Sequence, residues 1–307
     1  MRNPSGRILS ILVALLNSAI ILCSGSVVAQ NQSEQDQGKK TIVEMSADEL
    51  LHEYPIELAD LEFSPIQGGL DSLLKTVGGR VQSFFSDFSN TSSRERVLLQ
   101  ILTPNGKVLR SSKKEYYYLI FPAKTGLQWK EERTDKKGRP INLKAMSPTE
   151  SFCISSGYAH VSIYLHPTYQ PSSLFRYLGR TVSGTHVIGF AQKRDGAPLA
   201  SYTNAELSVT VPFLVQGLVW IDPDNYQITR MRTGMLSPNM FLRKQMTDIS
   251  YTEVSFDGVK QPFWLPHQVT VMWELPGQVI FRNQHSYSDY RLFSVESEYS
   301  ISKPTVR

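Results

Sequence analysis

Six histidines could serve as bases or metal ligands: His52, His160, His166, His186, His267 and His285. None forms a His-x-x-x-His pair that would set two imidazoles on one helix face. His160 and His166 stand six apart with no acid or cysteine placed to finish a tetrahedral set. The residues therefore predict no metal centre and no cofactor, and the histidines read as structural or surface groups. Ser183 and His186 are close only along the chain, and neighbouring side chains on a strand point to opposite faces, so they make no dyad. A Gly-x-Ser-x-Gly elbow and a phosphate loop are both missing. Cys153, in Ser151-Phe152-Cys153-Ile154, has the apolar setting of a buried thiol rather than a nucleophile. Asp222 and Asp224 occupy a turn, where aspartate commonly bonds its own backbone, and nothing pairs Asp289 with Glu296. The sequence thus predicts no catalytic residue and no enzyme, although a carboxylate pair assembled across strands stays open.

The more informative pattern is aromatic. Tyr116, Tyr117, Tyr118, Phe121, Trp129, Phe190, Trp220, Phe263, Trp264, Trp273 and Phe281 all fall in strand-like segments. They either fill a core or line a cavity for an apolar ligand, since ligand sites are mostly apolar with a few polar groups. Trp129, Phe190, Trp220 and Trp273 are the candidate wall residues on the second reading.

Positioning them requires helices first and strands after. Residues 30–45 are polar and read as a disordered tail. Ser46 followed by Glu49 is a capping box, opening a short helix that stops before Pro55. Between Leu70 and Phe88, apolar residues recur at spacings of three and four, marking one face of a longer helix that Gly78-Gly79 weakens. From Arg94 on, the period becomes two. Strands are expected at 94–102, 115–121, 127–133, 174–178, 186–192, 214–221, 226–233, 245–256, 263–274 and 278–290. Turns punctuate them at Thr103-Pro104-Asn105-Gly106, 135–138, 222–225, Asp257-Gly258 and Leu275-Pro276-Gly277. Residues 141–172 read as a helical or irregular insertion. The expected architecture is α+β, one domain over 46–302. Within it, a large curved antiparallel sheet, an incomplete barrel, wraps over the amphipathic helix.

The first 29 residues read as a secretory signal peptide. Arg2 and Arg7 form the basic start, Ile8–Leu22 the apolar run, and Val27 and Ala29 the small-residue cleavage site. The large Leu22 before Cys23 argues against lipidation there. An uncleaved anchor is the other reading, but the apolar run is short for a span of ~20 residues. Removing 29 of 307 residues leaves about 278, and losing two arginines lowers the formal net charge from +4 to +2. That balance points to no nucleic-acid partner. The basic clusters at 110–114 and 136–139 sit beside turn signals and read as solvated hairpin tips. With Cys23 gone, Cys153 is alone and no internal disulfide forms. The expected place is the periplasm or the outside, with no stable membrane span after cleavage; oligomeric state is not legible.

One hairpin adds a resemblance. Gln216-Gly217-Leu218-Val219-Trp220-Ile221-Asp222-Pro223, closed by Tyr226-Gln227-Ile228-Thr229-Arg230, and the later Phe263-Trp264-Leu265-Pro266 resemble segments of the LolA/LolB-like superfamily of envelope lipoprotein carriers. That resemblance implies an incomplete β-barrel with a helical lid and an apolar interior for acyl chains. The leading expectation is an exported protein that binds a lipid or an acylated lipoprotein. The alternatives are an envelope sensor or interaction module without a small ligand, and a hydrolase with cross-strand carboxylates.

Overall fold

The computed structural model describes residues 39–88, 90–122, 127, 129–141, 158–204 and 209–293. The leader with Cys23, Cys153, Glu296, most of the polar tail and residues 142–157 of the expected insertion lie outside that set.

Two helices form where the caps and spacing place them. Helix α1 (Ala47–Glu53) starts at Ser46, whose hydroxyl accepts from the Glu49 amide while the Glu49 side chain accepts from the Ser46 amide. That reciprocal box satisfies two of the amide donors the first turn leaves open. Helix α2 (Leu70–Asp87) buries Leu73, Leu74, Val77, Val81 and Phe85 on one stripe. It runs unbroken through Gly78-Gly79. Gly78 serves close approach instead: a Cβ there would stand 2.6 Å from Gln170 Nε2 and 3.2 Å from the Leu165 carbonyl oxygen. Gln170 Nε2 in turn donates to the carbonyls of Leu74 and Leu165, at 2.9 and 2.7 Å. It thereby ties the 3-10 segment Tyr158–Leu165 to the helix.

Thirteen strands are described. They are β1 (Leu61–Phe63), β2 (Thr91–Leu102), β3 (Val108–Pro122), β4 (Trp129–Thr134), β5 (Ser173–Thr181), β6 (His186–Gln192), β7 (Ala200–Asn204), β8 (Val209–Phe213), β9 (Val215–Ile221), β10 (Ile228–Met235), β11 (Lys244–Val254), β12 (Phe263–Glu274) and β13 (Ile280–Leu292). Eleven form one antiparallel sheet in the order β1-β5-β6-β9-β10-β11-β12-β13-β2-β3-β4, and β7 pairs with β8 apart from it. The sheet is open: β1 and β4 are its two edges. It curls round α2, whose buried stripe meets Ile188, Phe190, Val219, Ile221 and Met231 in one cluster. The C-terminal end of the helix reaches the other arm, where Phe88 joins Tyr118, Ile120, Phe263, Leu265 and Val269. The α+β architecture with a curved sheet over an amphipathic helix is therefore the fold observed.

Two expectations are corrected. The tail ends earlier than residue 45: Thr41–Met45 form a turn, Ile42 is fully buried, and its amide donates to Gln216 Oε1 at 2.8 Å. Trp220 lies on the opposite face of the sheet from the helix-covered interior. Strand β9 alternates Val215, Val219 and Ile221 inward with Leu218 and Trp220 outward. There Ile42, Leu50 and Leu58 cover them, and the Arg230 guanidinium sits 4.5 Å over the indole. Strand β9 is buried along its whole length because α2 covers one face and α1 the other. Its near-continuous apolar run gives no hint which parity faces in.

Candidate functional site

Where α2 crosses the mouth of the sheet it leaves a groove of about 330 Å³. The helix supplies Arg80, Ser83, Phe84 and Asp87; the turn leading into β12 supplies Val259, Lys260, Gln261 and Pro262; β12 itself supplies Phe263 and Trp264. Arg80 Nε donates to the Asn225 carbonyl at 3.1 Å, fastening the helix to the β9–β10 hairpin. That hairpin holds its shape through Asp222, whose Oδ1 accepts from the amides of Asp224 and Asn225 at 2.9 and 3.1 Å. The aspartate bonds its own turn, as the sequence suggests. Tyr226 follows in the left-handed region at φ 59°.

Adjoining the groove is a second pocket of only about 30 Å³, the share of one liquid water, which borders Arg80, Phe84, Gln227 and Trp264 as the groove does, and also Val81, Ile228 and Tyr251. Phe84 thus stands between groove and core. Its ring lies 5.3 Å from Phe88, 5.3 Å from Trp129 and 6.3 Å from Phe263. Ligand sites commonly occupy ~300–1,000 Å³. The groove reaches the bottom of that range and the adjoining pocket falls far below it.

The candidate wall residues lie elsewhere. Trp129 stacks on Phe88 at 4.3 Å and 16°, closing the aromatic cluster at the helix end. Phe190 is wholly buried between Tyr164 and Phe175, at 5.3 and 6.3 Å. Its cross-strand partner is Gly217, where a Cβ would meet the Phe190 ring at 2.9 Å and the Arg232 carbonyl at 2.1 Å. The glycine of the hairpin motif is there to let that ring and that backbone approach. Trp273 packs against three core clusters at once. Trp129, Phe190 and Trp273 therefore share the inner face but serve as packing, and none of the four borders either cavity.

The histidines separate by role. Ser183 Oγ bonds the hydroxyls of Thr181 and Thr185, while His186 Nδ1 lies 3.0 Å from the Tyr177 hydroxyl, so the two are unconnected. His160 lies 3.5 Å from Glu131 Oε1. His285 belongs to a buried network that sequence reading missed. Glu95 is fully buried, with Oε2 accepting from Arg133 Nε at 2.5 Å. Its Oε1 accepts from Arg133 Nη2 at 2.9 Å, the Tyr287 hydroxyl at 2.8 Å and His285 Nδ1 at 2.9 Å. Burial alone would raise this carboxyl. The Arg133 charge and the hydrogen bonds from His285 and Arg133 hold it well below the usual carboxylate range. An ionised Glu95 only accepts, so His285 Nδ1 carries the proton. Nε2, 3.2 Å from the Tyr158 hydroxyl, then accepts from it, since burial keeps the ring neutral.

Acid, imidazole and hydroxyl in line match the geometry of an activated nucleophile. Access decides against that use here: Tyr158 and His285 are 1% and 2% exposed, and neither cavity touches them. Among the described residues no group of three or more histidine, cysteine or acidic side chains could hold a metal ion, and no helix is long and apolar enough to cross a membrane. The signal for the network was available in parity. Glu95 and His285 both occupy inward positions, alternating with exposed or half-buried residues on β2 and β13.

No family model matches the chain, and no curated protein matches it. Among solved structures, a DUF1329 family protein from Desulfovibrio piger is similar at 14% identity and a TM-score of 0.35, over 74% of this chain and 94% of that one. A LolA superfamily protein from Nitrosomonas europaea is similar at 13% identity and a TM-score of 0.33, with the same coverage. The second carries the superfamily name that the Gln216–Pro223 hairpin resembles. At these scores neither likeness carries an argument about ligand or activity.

Proposed function

We propose that the protein is an exported, periplasmic binding protein, not an enzyme, and that it holds a lipid or lipoprotein acyl chain non-covalently in the groove under α2. The groove itself carries the reading: Phe84, Val259, Phe263 and Trp264 give it a buried or half-buried apolar lining, beside exposed polar groups such as Arg80 and Lys260. Burial of a chain there is driven by ~0.8 kcal/mol per CH₂ removed from water. The pocket adjoining the groove at Phe84 holds only about 30 Å³, so a chain longer than the groove requires Phe84 to swing aside. Protein purified from its native envelope and extracted into organic solvent is expected to yield an acyl-bearing species by mass spectrometry, near one per protein. Neither a co-purified nor an added acyl chain binding would end this reading.

A different observation favours an interaction module. Among the described residues β4 pairs β3 only from Tyr117 to Pro122, so no strand covers the Val108–Lys113 edge. An uncovered edge is a template for strand addition. A partner recovered by crosslinking at Leu109, in protein free of lipid, would support that reading.

A further inference from the structure

The charge on the groove's rim narrows the kind of chain it takes. Arg80 stands on the helix wall and Lys260 on the facing turn, with Asp87 as the one acid bordering the same space. Their formal sum is one positive charge. Arg80 spends Nε on the Asn225 carbonyl, which fixes the guanidinium at the rim and leaves its two Nη groups for another partner. Among the described residues neither Arg80 nor Lys260 makes an ion pair. Both are exposed, so neither cation is needed to hold the core together.

We propose that the groove selects a single-chain fatty carboxylate, its head between Arg80 and Lys260 and its chain along Phe84, Pro262 and Trp264. This rests on the acyl-chain reading above and sharpens it. Volume favours one chain over two or three, because about 330 Å³ is the low end for any ligand site. Charge favours a head of minus one, which the rim balances; a phosphate monoester at ~−1.5 to −2 overshoots it. Geometry favours a planar carboxylate, which a guanidinium receives through two parallel N–H donors.

The test measures binding of laurate, dodecanol and dodecyl phosphate to the full chain, with brominated laurate reporting proximity through quenching of Trp264 and Trp264→Phe as its control. Laurate is expected to bind about tenfold more tightly than dodecanol, a modest factor because the rim is open to solvent. Arg80→Gln should erase that advantage, Lys260→Gln should reduce it, and raised salt should shrink it. Equal binding of laurate and dodecanol overturns the carboxylate assignment while leaving acyl binding intact. Tighter binding of dodecyl phosphate overturns it in favour of a phosphate head. No binding by any of the three overturns this proposal and the reading beneath it together. Thermal unfolding unchanged in Lys260→Gln and only slightly lowered in Arg80→Gln, which gives up one exposed hydrogen bond, separates lost recognition from lost fold.

Discussion

The inner face of the sheet has two halves built on different physics. Under α2, strands β6, β9 and β10 meet the helix through Ile188, Phe190, Val219, Ile221 and Met231, with no charge among them. On the other arm, β13, β2, β3 and β4 enclose Glu95, Arg133 and His285 among tyrosines. The first half coheres by apolar burial, which is non-directional and tolerates exchange of similar shapes. The second coheres by directed donors onto one carboxylate, where each missing partner leaves a buried charge exposed to its own desolvation cost. The groove opens where the two halves meet: Phe84 packs against both clusters, while Val259 and Phe263 belong to the one that holds Tyr118 and Tyr287.

Three measurements break or sharpen that contrast. The largest effect belongs to Glu95→Ala, which strands the Arg133 guanidinium in the core and should cost ~3–5 kcal/mol in denaturant unfolding. Converting Glu95 and Arg133 together to leucine and methionine should recover most of that. If the single change costs under ~1 kcal/mol, the network does not hold that arm together. Acid comes next. Glu95 and His285 both hold their protons less tightly folded than unfolded. Stability is therefore full above ~6.5, falls as the unfolded histidine protonates, and falls again below ~4.3 as the unfolded glutamate does, at up to ~1.4 kcal/mol per pH unit for each group. His285→Gln should shrink the upper step in a melting-temperature series, the remainder belonging to His166 and His186, which burial also lowers; a step of unchanged size assigns it to those two. The smallest effect is Ile188→Val in the apolar half, expected at ~0.5–1.5 kcal/mol and independent of pH.

Much of this was legible along the chain. Period and capping placed α1 and α2 within a residue or two, and turn chemistry placed the hairpins around 222–225 and 275–277. Strand β1, at three residues, is too short to show a period, and β7 and β8 offer five residues each. The side assigned to Trp220 was hidden for a different reason: both faces of β9 are buried, so hydrophobicity does not vary with parity. The inward positions of Glu95 and His285 can be read from parity, but their meeting was hidden by distance. Their partners lie 190 positions apart along the chain, and only the pairing of β13 with β2 brings them together. The groove was invisible in principle, since it depends on where a helix crosses a turn rather than on any motif.

That pairing of β13 with β2 also makes one strand the only link between two parts of the described sheet. Strands β2, β3 and β4 are made early, yet they join the rest of the sheet only through β13, the final described strand. Until it arrives, Glu95 lacks both His285 and Tyr287 and the Arg133 arm has no neighbour on its open side. Non-local closure of this kind is slow, because the chain entropy is surrendered before the contacts reward it. One strand thus both completes the ladder and supplies two of the donors that hold the buried carboxylate.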